Sequence, residues 1–133
     1  MSAVSFTVPG QPVPQPRPRV STAGGFARAY VPGKHPVHAY RDAIAAAARG
    51  AGLTTTGEVL NVVIDCVFKR PKSHIRKAGV KPDAPKLPRP DVDNLAKAVL
   101  DALQDVMGDD SLVGRLVVEK SYGTEARTTV RIS

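Results

Sequence analysis

Val59-Leu60-Asn61-Val62-Val63-Ile64-Asp65-Cys66-Val67-Phe68 is the stretch that decides the fold class. Alternate positions Leu60, Val62, Ile64, Cys66 and Phe68 make one wholly apolar face, with Asn61 and Asp65 on the other, so the segment reads as a strand. Downstream, Leu95, Val99, Leu103 and Val106 recur at intervals of four, four and three, the core stripe of an amphipathic helix over 95–107. Asn94, Lys97, Asp101, Gln104 and Asp105 take its other side, and Gly108 stops it. Leu112 to Lys120 then reads as a strand, Gly123 to Ala126 as a turn, and Arg127 to Ile132 as a last strand with Thr128, Val130 and Ile132 on one face. Upstream, residues 4–8 alternate apolar and polar, and a short strand over 26–31 follows the Gly24-Gly25 turn. Residues 37–50 are alanine-rich, with Tyr40, Ile44 and Ala47–Ala48 at helical spacing before Gly50 and Gly52. This order predicts a single α/β (α+β) domain over residues 1–133, a mixed β-sheet with two main helices.

The 133 residues leave room for one domain, and a hydrophobic content of 42% supports a real core. With three Phe, three Tyr and no Trp, aliphatic side chains must fill it. No apolar run approaches the roughly 18–20 residues of a membrane span, and no signal peptide is visible. Cys66 is the only cysteine, which excludes an internal disulfide and a thiolate zinc cage; its apolar surroundings make it a buried structural thiol. A cytoplasmic protein, in a bacterial or phage-infected cell, is the expectation. His35 and His38, at the start of the first helix, read as exposed polar residues rather than metal ligands.

The formal net charge of +7 suggests a polyanionic partner, and its placement sharpens the point. Lys69, Arg70, Lys72, Arg76, Lys77, Lys81, Lys86 and Arg89 crowd one stretch with His74, and Asp83 is its only acid. Five prolines and no periodicity make residues 69–90 a long loop, a candidate for phosphate contact or simply a solvated segment. A second proline-rich segment, Pro9 to Pro18, reads as an extended connection that brings Arg17 or Arg19 toward nucleic acid.

The basic loop leads directly into Arg89-Pro90-Asp91-Val92-Asp93-Asn94-Leu95, followed by Lys97 and Asp101 and closed by Asp109-Asp110. Pro90 biases Arg89 toward extended backbone, where residues two apart point the same way, so Asp91 and Asp93 can face one point. Two readings are open. Asp93 or Asn94 can simply cap the helix, worth about 0.5–2 kcal/mol, with Asp93 and Lys97 as an ordinary surface pair. Alternatively the carboxylates hold Mg²⁺ or Mn²⁺ for phosphodiester hydrolysis, with a lysine to stabilise transition-state charge. The helix spans roughly 20 Å at 1.5 Å per residue, so the acid pair past its end cannot reach its entrance directly. Either the helix is bounded differently, or the site is completed across subunits.

The set Pro90-Asp91-Val92-Asp93-Asn94-Leu95-Ala96-Lys97, Leu100-Asp101-Ala102-Leu103 and Asp109-Asp110 resembles the signature of the RusA family of Holliday-junction endonucleases. Lys120-Ser121-Tyr122-Gly123 resembles the lysine, tyrosine and glycine that often precede that family's last strand. Two departures are a short link between Leu103 and Asp109 without an aromatic residue, and Leu112 where glutamine is frequent. The resemblance implies a homodimeric nuclease that makes paired symmetric nicks in four-way DNA junctions, using Mg²⁺ or Mn²⁺, in recombination and repair. By position it implies Asp91, Asp93 and Asp110 as catalytic, metal-binding acids, Lys97 as the catalytic or phosphate-contacting lysine and Asp109 as a supporting acid. Asp101 would orient Lys97 or the helix. Competing expectations are a non-catalytic DNA-binding module and a metal nuclease for other branched nucleic acids.

Overall fold

The alternating segment forms β4 (Leu60–Lys69), with its apolar residues buried almost without exception. It sits inside a four-stranded sheet with β1 (Val4–Pro9), β7 (Val113–Gly123) and β8 (Arg127–Ile132), in the order β1-β8-β4-β7. The computed structural model describes residues 3–55 and 57–133, with the backbone alone at Arg19. β8 runs antiparallel to both β1 and β4, whereas β7 runs parallel to β4. The remaining elements are the hairpin β2 (Arg19–Ser21) and β3 (Arg28–Tyr30), helix α1 (Val37–Gly50), the small hairpin β5 (Ile75–Arg76) and β6 (Gly79–Val80), and helix α2 (Val92–Met107).

Both helices cover one face of the sheet. Val4, Phe6 and Val8 of β1, the apolar face of β4, and Val130 and Ile132 of β8 form one cluster with Ile44 of α1 and Leu95, Val99, Leu103 and Met107 of α2. Fully burying each such side chain contributes about 1.5–3 kcal/mol, which is why two helices of modest length stay fixed on the sheet. The other face carries polar and charged residues, Arg127 and Arg131 among them. The core's buried polar residue is Thr128, whose Oγ1 lies 2.6 Å from the Tyr40 hydroxyl and so ties α1 to β8.

Several boundaries differ from the sequence-based expectation. Helix α2 begins at Val92 rather than Leu95, because Asp91 is extended and its carbonyl already accepts the Leu95 N–H at 3.1 Å. The strand expected over 112–120 starts one residue later and runs to Gly123, after a 3-10 turn over Asp110–Leu112. The short strand over 26–31 is the second arm of a hairpin. The basic loop is partly ordered: a 3-10 turn at Lys72–His74 leads into β5 and β6, whose turn ends on Gly79 at φ 114.

The register of β4 with β7 decides which residues stand near the entrance of α2. Cys66 is opposite Lys120, Phe68 opposite Tyr122 and Lys69 opposite Gly123, so Lys120 and Tyr122 share the helix-covered face. Gly123 is required by space, because a Cβ there would stand 2.7 Å from Val67 Cγ1. Gly123→Ala should therefore lower stability by about 1–3 kcal/mol, the usual cost of overpacking, read as a lower urea midpoint at unchanged slope.

Burial pushes the Cys66 thiol up to about 12 from its usual value near 9; the Asp65 charge adds to this and the Thr128 hydrogen bond opposes it. Burial likewise raises the Tyr40 phenol above its usual range. The unfolded chain thus loses these protons first, so the stability they contribute is complete below pH 9 and is lost as pH climbs toward 12. Urea midpoints should fall over that window, and Cys66→Ala should fall less steeply than the wild type.

Candidate active site

The chain leaves β4 at Lys69, passes through the basic loop and enters α2 at Asp91, the helix N-cap. The Asp91 side chain makes no capping hydrogen bond, and Asp93 lies in the first helical turn. Among the described residues neither carboxylate has a hydrogen bond or an ion pair, and both are exposed. The structure therefore does not use them as side-chain caps. Nor are they aligned by an extended backbone, since Asp93 is helical; they share the first turn, where the helix dipole favours negative charge.

Two contacts hold this entrance in place. Lys120 Nζ donates to the Pro90 carbonyl at 2.8 Å, from a half-buried position on β7. The Gln15 N–H donates to the Asn94 carbonyl at 2.9 Å, so the proline-rich segment lies along the first turn of α2. Arg17, exposed, stands two residues further along. The side chain of Arg19, the other arginine expected to face nucleic acid, lies outside the described residues. Lys97 is one turn beyond Asp93 and pairs with Asp101 at 3.7 Å rather than with Asp93; its side chain is 62% exposed. Exposed pairs of this kind are worth about 0–1 kcal/mol, so the ammonium is not held there firmly.

The second acid pair is elsewhere. Sixteen residues of α2 put about 24 Å between the ends of the helix. Gly108, at φ 86, ends it, and Asp110 opens the 3-10 turn that leads into β7 beside the start of β4. Asp109 Oδ1 accepts the Ser111 N–H at 2.8 Å, and this bonding holds its carboxyl below the usual carboxylate range. One chain thus gathers Asp91, Asp93, Lys97 and Lys120 at one end and leaves Asp109 and Asp110 at the other. Among the described residues no three acids, histidines or cysteines form a group that could hold a metal ion. The donors that are present, two uncommitted carboxylates, suit a hard divalent cation.

The eight loop cations, Lys69, Arg70, Lys72, Arg76, Lys77, Lys81, Lys86 and Arg89, are all threaded between the end of β4 and Asp91. Most are exposed; Arg70 and Lys81 are half-buried. Arg70 Nη1 donates to the Pro85 carbonyl at 3.0 Å, and its Cζ lies 4.3 Å from the centre of the Tyr122 ring. His35 and His38 serve the backbone, as Nδ1 of His35 accepts the Val37 N–H and Nε2 of His38 pairs with the Pro32 carbonyl. Sequence reasoning left Lys120 and Tyr122 without a role; only the β4–β7 register places them here.

The family model described as endodeoxyribonuclease RusA matches residues 9–133, a span that includes every candidate site residue. The uncharacterized protein YqaN of Bacillus subtilis (strain 168) is 34% identical over 137 residues, covering 99% of this chain and 96% of its own length.

Lys120→Met removes the donor to Pro90 and should cost about 1.5–3 kcal/mol, the range for a hydrogen bond to a charged group. The amide of Leu95, which makes the first helical bond of α2, should exchange faster with solvent deuterium. Unchanged exchange would mean that the loop holds Pro90 without Lys120.

Proposed function

The chain belongs to the RusA family of endodeoxyribonucleases, which resolve Holliday junctions, and from that premise we propose that it cuts branched DNA with a site shared between two copies of itself. The observation that carries this reading is the separation along α2: Asp91 and Asp93 stand uncommitted at one end of a helix about 24 Å long, and Asp110 follows its other end. A homodimer that sets the α2 entrance of one subunit beside the α2 exit of its partner would complete the set Asp91, Asp93 and Asp110, with Asp109 in support. Two such sites related by a two-fold axis suit a four-way junction, whose resolution takes two matched cuts.

In this reading the loop from Lys69 to Arg89 binds phosphates and delivers the strand to the α2 entrance. Lys97 leaves its weak pairing with Asp101 to face charge that grows on the scissile phosphate. Lys120 keeps Asp91 in position through Pro90. Asp91, Asp93 and Asp110 would hold Mg²⁺ or Mn²⁺. A bound cation of this kind supplies charge neutralisation at phosphate and water activation near neutral pH. The place of action would be the cytoplasm of a bacterial or phage-infected cell, where branched DNA forms. No helix among the described residues is long and apolar enough to cross a membrane.

Labelled four-way junctions should be nicked in Mg²⁺ or Mn²⁺ and left intact in EDTA. Asp93→Asn and Asp110→Asn should each lower the rate by at least about 100-fold, a loss of about 2.7 kcal/mol or more in transition-state stabilisation, while still binding junctions. Mixing the two inactive variants distinguishes shared from separate sites. With shared sites, every mixed dimer keeps one complete site, so nicking returns to about a quarter of the wild-type level, without paired cuts. No recovery on mixing would refute the shared site, and binding without cutting by the wild type would refute catalysis itself.

A further inference from the structure

Tyr122 stands near the end of β7, opposite Phe68 near the end of β4. It borders a cavity of about 500 Å³ whose wall also includes Lys69, Arg70, Lys72, Ile75 and Val80. That volume falls in the range of small-ligand sites, roughly 300–1,000 Å³. Two features of the lining have no explanation in the fold. Ile75 and Val80 are cross-strand partners on the β5–β6 hairpin, yet they stay 50% and 54% exposed. Strands of two residues enclose no core, and such a hairpin is marginal in water by itself.

Tyr122, for its part, meets one polar ring and a cation. The Arg70 guanidinium lies 4.3 Å from its ring centre, and His74 meets it edge-on at 5.7 Å with the ring planes perpendicular. Arg70 is itself anchored to the Pro85 carbonyl. The cavity therefore combines apolar walls, an aromatic ring paired with a guanidinium, and a rim carrying Lys69 and Lys72. The ligand chemistry that uses all three is a flat ring with apolar faces, carried on an anionic backbone.

We infer that this cavity takes one unstacked nucleobase of the DNA, seated against the Arg70–Tyr122 pair, with the adjoining phosphates on Lys69 and Lys72. The inference rests on the reading of the chain as a junction nuclease, whose substrate offers loosely paired bases at the exchange point. Cationic grooves furnished with stacking side chains are how proteins hold single-stranded nucleic acid without reading its sequence. Extruding a base costs least where it is already unpaired, so the cavity favours branch points over regular duplex. It also lies close to the α2 entrance, because Lys120, two residues before Tyr122, bonds to Pro90. Base capture there would fix the strand beside Asp91 and Asp93.

The test is fluorescence anisotropy of the full chain in EDTA with three labelled probes: a four-way junction, an oligo-dT single strand and a blunt linear duplex. Tyr122→Ala should weaken binding to the junction and the single strand by about 10-fold, and leave duplex binding within about twofold. Tyr122→Phe keeps the ring and should match the wild type on all three. Val80→Trp, at an exposed position away from the core, should block the cavity and reproduce the alanine pattern. Wild-type affinities in both Tyr122→Ala and Val80→Trp, or losses equally large on duplex, would overturn the inference. The wild-type preference for junction over duplex is read separately. A chain lacking that preference, yet binding single strands through Tyr122, keeps the cavity and loses the junction reading.

Discussion

Parallel strands cannot be joined by a tight turn, and β4 and β7 are parallel neighbours. The chain must leave the end of β4, cross over, and return to the start of β7. Helix α2 makes that return, and its length sets the distance between the two ends of the crossover. The placement of the candidate site residues is a consequence of this one constraint. Residues before α2 gather at the finishing ends of β4 and β7, and residues after it gather at their starting ends. Asp91 and Asp110 are separated because they flank the same crossover helix, and no local adjustment of either loop could bring them together.

The same pairing organises the cationic end. The long segment between β4 and α2 is free to leave the body of the protein, and it carries eight basic residues in 21 positions. Its reach is limited by contacts with the rigid sheet: the Arg70 N–H donates to the Gly123 carbonyl at 3.2 Å, and Arg70 and His74 rest on Tyr122. Positive charge that would repel itself in a free loop is thus presented along one side of the acidic entrance. A polyanion bound there neutralises the repulsion and releases counterions, so affinity should depend steeply on salt.

Stability and function draw on different faces of these elements. The buried residues on the helix-covered face of the sheet are apolar except Thr128, whose polar contact with Tyr40 fixes how α1 sits on β8. The catalytic candidates stand outside the core: Asp91, Asp93 and Lys97 are exposed on the first turns of α2, and Asp110 is half-buried in the turn before β7. Substitutions at the exposed Asp91 and Asp93 remove no core packing, and Asp110→Asn keeps the size of a half-buried side chain. Loss of function at these positions can therefore be separated from loss of fold.

Much of this was legible in the sequence. The period of two over 60–68, the period near 3.6 over 95–106 and the alanine-rich run over 37–50 fixed element types, because burial of one face leaves a direct imprint on residue order. The motif from Pro90 to Lys97 and the pair Asp109-Asp110 pointed to the family for a similar reason: chemistry on a phosphate demands particular side chains. Boundaries were less legible. Asp93 could be read as extended or helical until the Leu95 N–H was seen to bond to the Asp91 carbonyl. Tertiary structure alone decided the contacts between distant segments. Lys120 reaching Pro90, Gln15 reaching Asn94 and Tyr122 lying under Arg70 depend on the parallel register of β4 with β7 and on where the proline-rich segment lies. A chain records in its own order which face each residue must bury; which remote residue it then meets is settled only when the strands choose their neighbours.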